Sequence, residues 1–233
     1  MKALLSKEFK LCLHPTVFIY LAMVLMLLIP SYPYLVACFF LCNAVFFIFQ
    51  NARENGDPLY TAMLPVSKAQ AVKARCLFVV MLQIIELLLM AGMCAFGLVA
   101  MDLEKGNAGG TDLSLSLPAF ALILFTIFNL IFLPSFYRTG YKAGASFLKG
   151  AIGVWIWLML IEGLMIASGT MAGNDSAPAF FRFISENIDC FPQTAKAWTV
   201  QGILFGAGLL IYAACTLLAA RLSVKHYNQV DVQ

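Results

Sequence analysis

A succession of apolar stretches separated by short charged breaks constrains this chain more than any other feature. The hydrocarbon layer of a bilayer is about 30 Å thick, which an α-helix crosses in roughly 20 residues, and unpaired backbone excludes open strands there. Six spans are expected, at about 16–29, 34–49, 76–101, 117–136, 150–171 and 199–220. The first two are short. The turn signal Pro30-Ser31-Tyr32-Pro33 splits what would otherwise be one overlong run into a hairpin. With 62% hydrophobic and only 12% charged residues, 20 Phe among them, the 233-residue chain has too little polar surface to face water all round. The expected fold is an all-α membrane protein, a single transmembrane domain over residues 1–233.

Charge sets the expected topology. If the N-terminus is cytoplasmic, only Lys105, Arg182 and Lys196 of the 15 basic residues fall outside, and the other twelve lie inside. That bias predicts both termini in the cytoplasm. It also accounts for the net charge of +3 without any nucleic acid partner. Of the seven cysteines only Cys190 falls in an outside loop, so no external disulfide is expected within one chain.

Residues 1–13 carry Leu4, Leu5, Phe9 and Leu13 between Lys2, Lys7 and Lys10, a spacing that predicts a helix lying along the cytoplasmic membrane surface. Outside, the segment from Asp102 to Ser116, with Gly106, Gly109 and Gly110, reads as a small mobile polar loop. The stretch from Pro178 to Ile188 is amphipathic at helical spacing, and reads either as a short interfacial helix before span six or as an ordered surface loop. Gly202-x-x-x-Gly206 with Gly208, and Gly169-x-x-x-Gly173, suit close helix packing.

Several chemistries are missing. No Gly-x-x-x-x-Gly-Lys-Ser/Thr loop occurs, so ATP binding of the common kind is not expected, and the two histidines, His14 and His226, stand at opposite ends of the chain. No metal site, cofactor or catalytic set is expected in this chain. Two carboxylates remain in the apolar spans, Glu86 and Glu162, both expected near the midplane. Ionisable groups there cost on the order of 2.5–3.5 kcal/mol and usually face a cavity or a partner. They read either as the lining of a conduit or as helix ties, bonded to groups such as Gln83 or Asn129.

Residues 50–75 interrupt the hydrocarbon with a polar cytoplasmic segment. Asn55-Gly56-Asp57-Pro58 is a turn, Leu64-Pro65-Val66 a rigid extended piece, and Ser67 an N-cap for a helix that starts at Lys68 and runs into span three. Between them, residues 58–63 can form one or two helical turns presenting Leu59, Tyr60 and Met63 to a groove on a soluble partner.

A basic amphipathic N-terminus, six spans, and the motif carried by Asp57, Leu64, Pro65, Val66, Ser67, Lys68, Val72 and Lys73 or Arg75 resemble the membrane subunits of ABC-2 type exporters. The resemblance covers the whole chain in layout. It implies a permease that works as a homodimer or a paired permease in the bacterial cytoplasmic membrane, docked on two separate ABC ATPase subunits that bind the ATP and Mg. It implies that the coupling helix lies within residues 50–75, with Asp57, Leu59, Tyr60, Met63, Leu64, Pro65, Ser67 and Lys68 at the ATPase contact, and that the outer segment before span six forms re-entrant or interfacial helices. Small members of that group export amphipathic or antimicrobial peptides such as bacteriocins and phenol-soluble modulins, whereas others move drugs, lipids, ions or polysaccharides. Two other classes remain: a secondary transporter using Glu86 and Glu162 as cation or proton sites, and a membrane scaffold or immunity subunit that moves nothing.

Overall fold

The computed structural model describes residues 2–13, 15–29, 31–100, 107, 109–140, 142–172 and 178–229. Among these the secondary structure is helical throughout: α1 (Lys2–Lys7), a π-helical turn (Glu8–Cys12), α2 (Pro15–Ala22) continued by a 3₁₀ segment (Met23–Leu28), α3 (Val36–Glu54), α4 (Asp57–Met63), α5 (Lys68–Ala100), α6 (Ser116–Arg138), α7 (Ala143–Ala172), α8 (Ala179–Asn187) and α9 (Ala195–Asn228). Five helices are long and apolar enough to cross a membrane, and a sixth span is completed if the bent N-terminal pair counts as one.

That pair shows how a short apolar run is used. Leu4–Lys10 meets Pro15–Leu28 at 81°, so the basic amphipathic start turns away from the direction of the first span. Six of the span's residues are 3₁₀, which rises about 2.0 Å per residue against 1.5 Å for α, and this stretches the run to about 24 Å. It remains short of a full crossing.

Phenylalanine organises the core. Phe125, Phe128, Phe132 and Phe136 recur on α6 at helical spacing and are fully buried. Phe49 of α3 stands edge-on to Phe132 and Phe136, with centroids 5.1 and 4.7 Å away. Small residues then bring other backbones close. Gly150 of α7 lies against the Phe128 ring, and Gly208 of α9 sits over the Ala119 carbonyl, where a Cβ would come within 3.2 Å. Gly202, Gly206 and Gly169 differ from expectation: within this chain nothing approaches the position of their missing side chains. Gly173 lies outside the described residues.

A polar knot crosses the apolar interior. Gln83 of α5 and Asn129 of α6 exchange two hydrogen bonds of 2.9 Å, and the Tyr212 hydroxyl of α9 donates to Gln83 Oε1 at 2.7 Å. Neither Glu86 nor Glu162 bonds to this pair as the tie reading of the two carboxylates would have it, because each amide satisfies the other.

The end of the bundle opposite α4 is closed by residue 107 and residues 109–116. The Asn107 side chain donates to the Tyr32 carbonyl at 2.8 Å, Leu115 N–H to Gln201 Oε1 at 3.2 Å, and Ser116 Oγ to the Ile188 carbonyl at 2.8 Å. Thr111 is fully buried. The described part of this loop is therefore bonded into the bundle rather than loose, because amides carried into an apolar setting require acceptors. Residues 101–106 and 108, the rest of the loop expected to be mobile, lie outside the described residues.

Candidate functional site: the α4 end of the bundle

Gly56 adopts φ 67°, a left-handed conformation that reverses the chain after α3, and α4 starts at once with Asp57 in its first turn and Pro58 at the next position. Leu64 is extended (φ −77°, ψ 148°), so α4 stops after seven residues and Leu64-Pro65-Val66 carries the chain to the next helix. Ser67 Oγ accepts from Gln70 N at 3.2 Å while Gln70 Oε1 accepts from Ser67 N, also at 3.2 Å. This reciprocal capping box fixes where α5 begins. The Lys68 ammonium lies 5.5 Å from the centroid of the Tyr227 ring, which ties the same corner to the end of α9.

Helix α4 therefore has two faces. Leu59, Tyr60 and Met63 are 53, 52 and 74% exposed and form one apolar outward patch. Asp57 and Thr61 are buried.

The inward face meets a closed ring of charge. Lys7 Nζ lies 2.6 Å from Asp57 Oδ1, Asp57 Oδ2 is 2.5 Å from Arg75 Nη2, Arg75 is 2.9 Å from Glu8 Oε2, and Glu8 Oε1 is 3.5 Å from Lys7. The Arg75 fork donates from Nε to Glu8 Oε2 at 2.9 Å and from Nη2 to Glu8 Oε1 at 3.1 Å. Lys7 also donates to Thr61 Oγ1 at 2.6 Å. None of the four charged side chains is more than 10% exposed. Burial alone would raise the Asp57 carboxyl, but Arg75 and Lys7 outweigh it and hold the group below its ordinary value. The Arg75 guanidinium also lies 5.6 Å from the Phe49 centroid, so one side chain meets the N-terminal segment, α3, α4 and its own helix.

Sequence reasoning placed Asp57 here but missed Lys7, Glu8 and Thr61, and left Arg75 as an alternative to Lys73. Lys73 is exposed and Arg75 is buried, so Arg75 makes the contact. A signal was present: Glu8 is the sole acidic residue before Glu54, in a segment otherwise basic.

The two membrane carboxylates separate in environment. Glu162 Oε1 accepts from Leu35 N at 3.1 Å, and Oε2 accepts from Thr111 N at 2.7 Å and Thr111 Oγ1 at 3.2 Å. Its partners Leu35 and Thr111 lie toward the end opposite α4. Helix α7 starts at Ala143, ahead of the expected 150, which places residue 162 about 29 Å along it. Glu86, near the middle of α5, is 0% exposed, and neither carboxyl oxygen has a hydrogen-bond partner.

A family model described as ABC-2 family transporter protein matches residues 3–228, nearly the whole chain. The chain matches no curated protein and no solved structure. The match spans both the bundle and the α4 corner. Membrane subunits of this family normally pair with ABC ATPase subunits. The chain belongs to the ABC-2 transporter family, as an integral membrane permease subunit.

Proposed function

We propose that this permease is the membrane half of an ATP-driven exporter in a bacterial cytoplasmic membrane, with its termini and α4 on the cytoplasmic side. The observation that carries the reading is α4 itself. Seven residues present Leu59, Tyr60 and Met63 to solvent while their inward neighbours are fixed by buried charge, which is the form of a rigid plug for a groove on a soluble protein. Two ABC ATPase subunits, each gripping the α4 of one copy in a homodimer or paired permease, would supply the ATP, the Mg and the hydrolysis.

The substrate class that fits best is an amphipathic or antimicrobial peptide. Two things support it: the family resemblance of small six-span members, and Glu86 as an unpaired carboxyl in an apolar setting able to meet a cationic group. We infer that Glu86 faces the conduit when α3 and α5 part, and that Glu162, whose oxygens already accept three donors, serves as a tie.

The test is co-purification from native membrane. The wild-type chain is expected to retain an ABC ATPase, and inverted vesicles holding the pair to accumulate a cationic amphipathic peptide only with ATP. Replacing Tyr60 and Met63 by Ala is expected to release the ATPase while the chain stays inserted. Full ATPase stoichiometry in the double variant would overturn the assignment of α4, and uptake driven by a proton gradient without ATP would favour a secondary transporter.

A further inference from the structure

We propose that Glu86 is the cation-recognising group of this permease, and that it carries a proton in the closed bundle which it gives up when a cationic group of the substrate arrives. The inference rests on the reading of Glu86 as a conduit group and deepens it, naming what the carboxyl exchanges.

Isolation of the carboxyl is the first ground. Glu86 is 0% exposed, and both of its oxygens lack a hydrogen-bond partner. Donors stand nearby but are engaged elsewhere. One turn back on the same face of α5, Gln83 is bonded to Asn129 and to the Tyr212 hydroxyl, and Asn129 reaches on to Thr216 Oγ1 at 3.4 Å. A carboxylate sealed from water with no donor is far costlier than the neutral acid, so the group stays protonated until something compensates its charge.

The supply of cations is the second. No Lys, Arg or His occurs in residues 15–28, 36–52, 76–100, 116–137, 150–172 or 197–220, so no span offers Glu86 a counter-ion, and a second copy of the chain has none to lend. The titratable groups facing it are the Cys38 and Cys42 thiols of α3. Helix α9 brings the Tyr212 hydroxyl, which is engaged with Gln83, and Cys94 stands two turns further along α5. At this depth α6 and the 3₁₀ segment carry no titratable residue, and Lys7 and Glu8 of the N-terminal segment are closed in the ring at the α4 end. None of the thiols or hydroxyls is positive in either of its states. The compensating charge therefore has to enter from outside the spans.

Glu162 supplies the comparison. Its two oxygens accept three donors, the means by which a buried carboxylate is kept charged without a cation. One acid of the spans is thus already served, and the other is free to exchange. In that exchange the Glu86 O–H bond breaks, the proton passes to water admitted as α3 and α5 part, and the carboxylate pairs with the entering ammonium. When the ammonium leaves, water returns a proton.

The experiment uses the full chain with its co-purified ATPase in lipid nanodiscs, and as probe an amphipathic helical peptide with one lysine and blocked termini. Infrared difference spectra of wild type against Glu86→Gln, without peptide, are expected to show a protonated carboxylic C=O band at pH 7 that Glu162→Gln does not remove. In the wild type alone, loss of that band on adding peptide gives a reading that does not need the variant to fold. Calorimetric titration in two buffers of different ionisation enthalpy is expected to count about one proton released per bound lysine in the wild type, and none in Glu86→Gln. Wild-type affinity is expected to rise ~tenfold per pH unit while the acid is protonated, and that of Glu86→Gln to be weaker and flat with pH. A resting wild type without the band would overturn the proposal, as would lysine-peptide binding with no proton released, or release preserved in Glu86→Gln. A wild type that shows the band but binds no cationic peptide would overturn the exchange by removing the substrate reading beneath it, whereas binding without proton release leaves that reading standing.

Discussion

The Thr111 amide donates to Glu162 Oε2 at 2.7 Å, which places a loop backbone inside the bundle beside a carboxylate of α7. Gly110, next to it, has φ 143°, and a side chain there would overlap the same oxygen. The loop and the carboxylate are fitted to each other.

Glu162→Ala is accordingly expected to lower stability by about 3 kcal/mol or more, since hydrogen bonds to a charged group contribute about 1.5–3 kcal/mol and three donors lose their acceptor. Glu162→Gln retains one oxygen and is expected to cost less. Gly110→Ala should resemble Glu162→Ala in thermal unfolding in detergent, and wild-type stability in both would show that the loop is not held there.

A pH dependence follows at the same end of the bundle. Asp112 N–H donates to Asp189 Oδ1 at 2.8 Å, and both carboxyls line an open cavity of about 620 Å³ with Glu186 and Lys196. Burial above all raises Asp189, the Asp112 amide draws it down, the Asp112 and Glu162 carboxyls push it up, and together they bring it to about 7. The folded value lies above the ordinary 3.8, so the closed loop takes up the proton more readily than the open one. Closure is therefore firmest on acidification and weakens as pH rises through about 7. Amide exchange over 109–116, corrected for intrinsic rate, should report looser protection at pH 8 than at pH 6, and Asp189→Asn should flatten the difference.

The Gln83, Asn129 and Tyr212 knot gives a third expectation. Membrane hydrogen bonds average about 0.6 kcal/mol with a maximum near 2, so Gln83→Leu should cost about 1–2 kcal/mol because it strands two partners. The double change Gln83→Leu with Asn129→Leu should cost less than the sum of the singles, measured by a double-mutant cycle.

The charge bias of the loops gives a fourth. In a cysteine-free background, a single cysteine at exposed Asn55 or Lys142 is expected to label only after cells are permeabilised, and one at exposed Glu186 to label in intact cells. The reverse pattern would invert the proposed orientation.

Much of this architecture can be read from local signals. Ser67 three residues before Gln70 announces the start of α5, Gly56 before Asp57 and Pro58 announces α4, and the Phe spacing on α6 announces a buried face. What could not be read depends on distance along the chain. Glu8 and Arg75 are 67 positions apart, and Leu35 and Glu162 are 127 apart, so no periodicity connects them. The first span is legible, at about 16–29, but its 3₁₀ stretch is not, since composition does not reveal which helix a short apolar run adopts. Glycine misled in part, since Gly208 lies in a close contact and Gly202 and Gly206, with the same look in sequence, do not.

The charge ring at the α4 end also bears on how a complex of this kind comes apart. Its two cations and two anions cancel, and no bonded pair is wider than 3.5 Å. Mobile ions screen over about 8 Å at physiological ionic strength and about 3 Å at 1 M, and they act little on pairs that water barely reaches. Molar salt washes, which loosen contacts made by exposed charges, should leave α4 seated on its own chain. A soluble subunit held by Leu59, Tyr60 and Met63 would resist the same wash, because excluding apolar surface from water grows stronger in a salting-out medium.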